Sequence, residues 1–366
     1  MDLRLDEQQR LLRDSAERFL RDEYAFDRRR ALIAETAPGD PGMWSKLSEL
    51  GWLGVWLPEE EGGLGGSEIE LSVVAEQMGR ALYVGPFLPA NLCAAALREA
   101  GTEHGSALLG SIADGSVRAA LAHAEPGSRG ILDAVSTVAS PSPAGTLLTG
   151  RKRLVHSAQF ADRLLVSALL DGELAFFSVD PQQAGVAIHP LRTIDNDWAA
   201  DVDLNGAVGE LVVEPASAKA AKANVVFIAL LAIGSEALGL CEAAFEQTQE
   251  YLRTRQQFGR ALVEFQALQH RLADIFVEIE QLRASLLGAL SVVSAAPAAR
   301  AQAAYGLKVQ AGAVACSVAG QCLHLHGGMG MTDEMPVSHY YRRARVLEAQ
   351  FGNSDYFLAA YGQGMA

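Results

Sequence analysis

The stretch YLRTRQQFGRALVEFQ, residues 251–266, separates two segments that both carry the apolar spacing of long helices. The helical period begins near Ala218, and after the stretch it continues in a row of apolar residues three or four positions apart. This row comprises Leu268, Leu272, Ile275, Ile279, Leu282 and Leu286. The helices are apolar on more than one face, which favours packing into a bundle and against neighbouring subunits. We therefore predict a C-terminal four-helix bundle over residues 218–366 and an oligomeric protein.

The segment before this bundle has the pattern of short β-strands. Residues 164–166 and 174–179 are apolar runs rich in β-branched and aromatic side chains. Two pairs of turn-forming residues, Asp171-Gly172 and Asn205-Gly206, follow the pattern of loops between strands. The sequence therefore predicts a middle β domain, barrel-like or a sandwich, over residues 118–215.

The first part of the chain is patterned as helices. Asp6 followed by Gln9 has the form of a helix N-cap with a capping box, and apolar residues then recur at helical spacing. We predict an N-terminal helical domain over residues 1–115. The whole chain is thus expected to be an α+β multi-domain protein in the order helical, β, helical.

Composition narrows the possible partners and compartments. The 366 residues carry a formal net charge of −14, which repels nucleic acid and anionic lipid. The longest apolar stretch, around 225–233, is short for a bilayer span and is soon followed by Glu236. No basic and apolar leader is visible at the start of the sequence. We expect a soluble, cytoplasmic protein with no nucleic-acid partner and no membrane insertion.

The cysteines and histidines do not form a metal-binding pattern. The chain has four cysteines, at positions 93, 241, 316 and 322, without Cys-x-x-Cys spacing. We interpret them as buried, reduced thiols. His324 and His326 lack a third ligand at motif spacing. The sequence therefore predicts no metal site.

Four stretches, taken together, resemble the acyl-CoA dehydrogenase family, and the resemblance covers essentially the whole chain. They are residues 49–65, residues 124–128 with 150–153, residues 251–266 and residues 324–330. The resemblance implies FAD as the cofactor, an acyl-CoA thioester as the substrate and a homo- or hetero-tetramer. The third stretch matches the family's Arg-x-x-Phe-Gly motif and the glutamine after it, and it is the strongest of the four.

The resemblance also implies which residues contact FAD. An arginine can form two hydrogen bonds to a pyrophosphate, and glycines let backbone N–H groups approach an anion. The implied cofactor residues are Arg255, Phe258, Gln266, His324, Gly327, Gly328, Glu125 and Ser128. Purely structural alternatives are a surface arginine with a core phenylalanine, and a glycine-rich helix stop.

Two positions in the middle segment depart from the family pattern. The family usually has a hydroxyl side chain where Ala124 stands, and a Trp-Ile-Thr/Ser run where this chain has Leu154-Val155-His156. In the family those side chains cover the isoalloxazine ring and donate to its polar edge. The departures therefore bear on the redox half of the site.

The residue that takes the substrate's α-proton in the family is also missing. Most members place a glutamate where this chain has Phe351, and a minority place it where this chain has Ala229. Neither side chain accepts a proton. Glu236, seven residues after Ala229, is the nearest substitute on the same helix face, although a structural glutamate bonded between helices is the simpler interpretation. Asp355 is a further acidic residue, interpreted as a helix cap or a contact to the flavin domain.

Three hypotheses follow for the function. In the first hypothesis, the chain is a base-lacking subunit of a heteromeric acyl-CoA dehydrogenase, in which a related chain supplies the base. Alternatively, it is a self-sufficient enzyme of acyl thioester chemistry with a non-standard base such as Glu236. The third hypothesis is a non-redox helical binding or scaffold protein that has lost the flavin.

Overall fold

The computed structural model describes residues 5–34, 41–128, 135–143 and 145–364. The helices in chain order are α1 Glu7–Glu23, α2 Phe26–Ala34, α3 Pro41–Glu49, α4 Glu68–Ala81, α5 Phe87–Leu97, α6 Glu103–Ala113, α7 Pro215–Thr254, α8 Gln266–Leu290, α9 Pro297–Leu325, α10 Pro336–Ala349 and α11 Ser354–Gln363. The strands are β1 Ala119–Ala122, β2 Val138–Ser142, β3 Gly145–His156, β4 Arg163–Leu170, β5 Glu173–Val179, β6 Val186–Arg192, β7 Trp198–Val213, β8 Gln256–Gln257 and β9 Arg260–Ala261. The predicted order helical, β, helical is confirmed.

The N-terminal helix begins as predicted. The Asp6 carboxylate accepts a hydrogen bond from the Gln9 backbone N–H at 2.8 Å, and the Gln9 side chain accepts from the Asp6 N–H at 3.0 Å. This capping box satisfies two N–H groups that the first turn leaves without helical partners. The cap was predictable because both of its residues are local in sequence.

The strands form a barrel-like sheet. β2 pairs with β3, β3 with β7, β7 with β5, β5 with β4, and β4 with β2, so these five strands close into a ring. β1 joins the ring along β4, and β6 along β7. The interior is a cluster of buried apolar side chains that includes Phe177, Leu164 and Val202. The barrel-like form of the middle segment is thereby confirmed.

One of the two predicted turn pairs is wrong. Asp171-Gly172 forms the turn between β4 and β5, with φ of 53° and 86°. Asn205-Gly206, however, lies inside β7, where Gly206 has a φ of 68° and the pairing with β3 shifts by one residue. A β-bulge demands the same left-handed glycine conformation as a tight turn, so the pair alone could not distinguish the two.

The length argument against a membrane span also needs correction. α7 has 40 residues and contains a window of 18 residues that is long and apolar enough to cross a bilayer. Within the fold, however, 89% of that window is buried. We conclude that α7 is a core helix, whose apolar character comes from packing on several sides.

Contacts group the chain into two compact units. The first comprises residues 1–31, 72–83 and 230–366, and the second comprises 32–71 and 84–229. In the first unit α4 and α7 cross with their backbones in contact. A Cβ on Gly79 would lie 2.1 Å from the Glu236 carbonyl oxygen, and one on Gly239 would lie 1.9 Å from that of Glu76. The predicted three-domain limits stay a prediction.

Candidate functional site

The position of the family's glutamate lies in a sharp turn between α10 and α11. Phe351 has a φ of 61° and Gly352 a φ of 118°, so the chain reverses over two residues in the left-handed region. The Asn353 side chain then caps α11 by accepting from the Tyr356 N–H at 3.1 Å. Asn353, and not Asp355, is therefore the cap of this helix. Phe351 is half-buried and brings an aromatic ring where a base is expected.

The alternative base position is apolar and closed. Ala229 lies inside α7 with no exposed surface. The division into units falls directly after it, between Ala229 and Leu230. Neither Ala229 nor Phe351 carries a group that could take a proton.

Glu236, the candidate substitute, is bound to an arginine. Its Oε1 accepts from Arg343 Nε at 2.5 Å and its Oε2 from Arg343 Nη2 at 2.9 Å. Both side chains are less than a tenth exposed. This planar, two-bond pair uses both carboxylate oxygens, as expected of an arginine fork. The interpretation as a structural glutamate between helices therefore has direct support, and Glu236 is poorly placed to act as a base.

A second group of predicted site residues lies around one end of α7, α8 and α9. After α7 the chain forms a two-stranded hairpin, β8–β9, with Phe258 and Gly259 at its tip at φ of 56° and 81°. The Phe258 ring is 89% exposed and stands edge-on to Phe265 at 6.1 Å. Arg255 and Gln266 flank the hairpin and are exposed. An exposed aromatic ring beside an exposed arginine is suited to a nucleotide.

The end of α9 is tied to this hairpin region by two contacts. The rings of Tyr251 and His326 stack at 4.5 Å, and Arg271 Nη1 lies 3.3 Å from His324 Nδ1. Burial lowers the pKa of His326, whose Nδ1 lies 2.9 Å from the Cys322 carbonyl oxygen. Gly327 and Gly328 follow, both exposed, and a Cβ on either would meet nothing within 4 Å. The structure thus brings His324 and these two glycines to the same end as Arg255 and Phe258.

The remaining predicted cofactor residues lie in the second unit, in the turn after β1. The Glu125 carboxylate points inward and accepts from Ser136, Thr137 and Lys152, the last at 2.7 Å. Burial alone raises the pKa of Glu125, but these bonds outweigh it and lower the pKa to about 2. The side chain of Glu125 therefore stabilises the fold through these hydrogen bonds. Ser128 bonds back to Glu125, with its Oγ 3.3 Å from the Glu125 N–H.

Lys152 is the centre of this buried polar network. Its side chain has no exposed surface, and its ammonium group donates to Glu125, to Ser167 at 3.1 Å and to the His123 carbonyl at 3.3 Å. Burial lowers the pKa of Lys152 to about 8, against the opposing effect of Glu125. The network links β3 to residues 123–125. It holds the turn in place, a role that the sequence did not predict.

Of the two departures from the family pattern, the run Leu154-Val155-His156 lies at the end of β3, and Ala124 lies in the loop after β1. Leu154 is about half exposed, with a φ of 51°. His156 Nδ1 lies 3.9 Å from Asp197 Oδ2, and both side chains are largely buried. A histidine beside a carboxylate differs chemically from the hydroxyl it replaces, because it can carry a positive charge.

Besides Lys152, the buried cations Arg343 and Lys308 were missed by sequence reasoning. Arg343 and Lys308 each sit in a helix whose other residues do not mark them as special. Their partners lie far away in sequence, with Glu236 107 positions from Arg343 and the Gln350 carbonyl 42 positions from Lys308. For Lys308 the signal was a single charged residue in an Ala-rich segment, which seldom becomes buried without a partner, whereas Arg343 stands among other charged residues of α10.

The four cysteines are free thiols in the structure. Cys93, Cys241 and Cys322 are buried thiols and Cys316 is half-buried. Burial raises the pKa of each of these thiols. In the part of the chain that the structure describes, no group of three His, Cys, Asp or Glu residues could hold a metal ion.

Family models match both ends of the chain. The model for the acyl-CoA dehydrogenase N-terminal domain matches residues 6–116, and the model for the C-terminal domain of the same family matches residues 230–365. Acyl-CoA dehydrogenase FadE27 of Mycobacterium tuberculosis is 30% identical over 341 residues, which cover 89% of this chain and 88% of that protein.

Solved structures match over nearly the full length. A steroid acyl-CoA dehydrogenase, Tcur3481–Tcur3483, has a TM-score of 0.89 at 32% identity and covers 98% of both chains. The ChsE4–ChsE5 complex from Mycobacterium tuberculosis has a TM-score of 0.88 at 28% identity and covers 100% of this chain and 99% of that one. Both structures pair two differently named chains.

Proposed function

This chain belongs to the acyl-CoA dehydrogenase family of FAD-dependent oxidoreductases, and we propose that it is the base-lacking subunit of a heteromeric member. In this proposal a related chain supplies the carboxylate that takes the α-proton of an acyl-CoA, and this chain completes the cofactor sites. A steroid-type or similarly bulky acyl group is the proposed substrate class, by analogy with the named relatives. The proposed location is the cytoplasm.

One observation carries the proposal. Both positions where the family places its base are apolar, at Phe351 and Ala229, and Glu236 has both carboxylate oxygens bonded to Arg343. General-base catalysis needs a carboxylate that can reach the substrate's proton. A glutamate held in a buried fork loses that pair if it takes up a proton, so it is a poor substitute.

The residues expected to bind the nucleotide half of FAD support the proposal that this chain still takes part in binding the cofactor. Arg255 would bind the pyrophosphate, the exposed ring of Phe258 would pack beside the adenine side, and the open space around Gly327 and Gly328 would let an anion approach the backbone. When bound, FAD would be the acceptor for the hydride that leaves the β-carbon of the substrate. At the flavin half, His156 and Leu154 replace the usual side chains, so we expect an altered hydrogen-bonding edge there.

Two further parts of the chain, one in each unit, are proposed to act by orientation. Lys152 and Glu125 fix the turn that carries Ser128, and the short reversal at Phe351 and Gly352 sets what faces the acyl thioester. In place of a base, an aromatic ring at this position would exclude water and present an apolar wall to the acyl group.

The test is to purify the chain alone and record its visible spectrum. Acyl-CoAs of different bulk are then added with a ferrocenium electron acceptor. We expect a protein that is colourless or flavin-bound but inert, and activity when a related chain carrying the glutamate is co-expressed. Flavin bleaching by acyl-CoA with the chain alone would instead establish the self-sufficient enzyme.

The third hypothesis has its own outcome in this experiment. If the protein stays colourless after FAD is supplied, and also when it is co-purified with the related chain, it is a scaffold protein that has lost the flavin. The same preparations therefore distinguish all three functions.

A further inference from the structure

Lys308 lies beneath the turn that carries Phe351. Its side chain projects from α9, has no exposed surface, and donates from Nζ to the Leu347 carbonyl and, at 2.9 Å, to the Gln350 carbonyl. These carbonyls belong to the last turn of α10 and its C-cap, where the helix leaves acceptors without intrahelical partners. A cation at a helix C-terminus also opposes the negative end of the helix dipole. Lys308 therefore closes α10 from a neighbouring helix.

The surroundings of this contact are polar and tightly packed. Gln350 Oε1 and Ser354 Oγ are buried and have no hydrogen-bond partner in the described part of the chain. A Cβ on Gly312 of α9 would lie 2.6 Å from Ser354 Oγ, so a larger residue there would require the serine hydroxyl to move. Polar groups on both sides of residue 351 are thus held inside the protein without partners among the described residues, which costs free energy.

A buried ammonium group is expensive, and an apolar side chain would fill the same space at lower cost. Burial lowers the pKa of Lys308 to about 7, with Glu348 acting in the opposite direction. Because α10 could end with solvent or a glycine as its cap, closing the helix does not by itself require a lysine from another helix. What this lysine adds is a fixed distance between α9 and the backbone that leads into the turn.

We propose that Lys308 is a positioning residue of the site: by binding the carbonyls of Leu347 and Gln350, it fixes the backbone before Phe351 and so determines where residue 351 faces the acyl thioester. This inference rests on the proposed function for the role of residue 351. The contact of Lys308 with the Leu347 and Gln350 carbonyls, the clamp, does not depend on the proposed function. An experiment can therefore contradict the clamp or the proposed function without contradicting the other.

The clamp is tested by hydrogen exchange on the purified chain. Lys308→Met keeps the length of the side chain and removes its donors, and Lys219→Met makes the same change at an exposed position of α7. The reporters are the Gln350 and Gly352 amides, which bond to the Val346 and Ala349 carbonyls. We expect their exchange to be at least tenfold faster in Lys308→Met and unchanged in Lys219→Met. Equal exchange in all three proteins would overturn the inference.

The positioning role is tested where a base can act. Phe351→Glu places a carboxylate on the turn, and its action is read as exchange of the α-proton of octanoyl-CoA and of a steroid-side-chain acyl-CoA in D₂O. In this step the carboxylate takes the α-proton and returns a deuteron, so no electron acceptor is needed. Adding Lys308→Met should lower the exchange rate at saturation at least tenfold with KM within twofold. A purely structural role would leave the rate unchanged and would overturn the inference.

Two further outcomes are informative. If Lys308→Met does not fold, Lys308→Arg retains the cation and its donors, and it should keep most of the exchange activity and slow amide exchange. If Phe351→Glu gives no α-proton exchange although the Lys308→Met amides are tenfold faster, the proposed function is wrong for this turn and the clamp stands.

Discussion

The Glu236–Arg343 fork allows a structural glutamate to be distinguished from a catalytic one. The perturbation is a double-mutant cycle made of Glu236→Leu, Arg343→Met and the double substitution. The two bonds, at 2.5 and 2.9 Å, join side chains that are 9% and 7% exposed. Removing one member leaves the other charge buried without its partner, which costs about 3–5 kcal/mol, whereas replacing both by apolar residues is often neutral.

The expected shift follows from the size of the protein. About 1 kcal/mol corresponds to roughly 2 °C for a large chain, so each single substitution should lower Tm by about 6–10 °C. The double substitution should lie within about 2 °C of the native protein. Tm is followed by circular dichroism at 222 nm. Arg342→Met is the matched control, because its partner Asp333 is 77% exposed and such a solvated pair contributes at most about 1 kcal/mol.

Either of two results would refute the reasoning. If the double substitution is as destabilising as the sum of the single ones, the two residues do not act as a pair. If Glu236→Gln leaves Tm within 1 °C of the native value but abolishes acyl-CoA turnover by the purified chain, Glu236 is the base. The proposal of a base-lacking subunit would then be wrong.

Three further perturbations test other parts of the structure. Lys152→Met should lower the free energy of unfolding by about 3–5 kcal/mol in urea titration, because it leaves the Glu125 carboxylate buried without its cation; no loss would mean that the network does not hold the turn. Burial lowers the pKa of His339 from 6.5 to about 4, so the unfolded chain takes up a proton at a higher pH than the folded protein does. The free energy of unfolding should therefore fall by up to about 3 kcal/mol as the pH drops from 6.5 to 4. Urea titrations at each pH measure this dependence, and His339→Gln should flatten it. Gly239→Ala should lower the free energy of unfolding by about 1–3 kcal/mol, because its Cβ would lie 1.9 Å from a carbonyl oxygen of α4. The control Gly288→Ala has open space and should be neutral or stabilising. Equal shifts of Tm for the two variants would contradict the close crossing of α4 and α7.

Features that depend on neighbouring residues were predictable from the sequence. The Asp6 cap needs only a partner three positions away, and the change between helical and β periods follows from which side chains face a core. Asn205-Gly206 was misinterpreted because a bulge and a turn require the same φ at the glycine. A local pattern specifies a backbone conformation, but it does not specify whether the neighbouring strand continues.

The polar interior of the site was beyond the reach of a single sequence. The partner of Glu236 lies 107 residues away, and that of Lys308 lies in the last turn of another helix. No spacing rule connects such positions, since they meet only through helix packing. Glu236 was a candidate because a buried carboxylate needs a partner or a catalytic role. Its partner is Arg343, which weakens the interpretation of Glu236 as a catalytic base.

The turn at residues 350–353 explains how a chain can lose a base and keep its fold. Its shape rests on Gly352 at a φ of 118°, on the Asn353 cap and on the carbonyl contacts of Lys308. None of these contacts uses the side chain at position 351. A carboxylate can therefore be exchanged for a phenyl ring there without altering the backbone that presents it. In the proposed heteromeric enzyme such a loss would be confined to chemistry, and it would be tolerable because a second, related chain brings its own glutamate to the shared assembly.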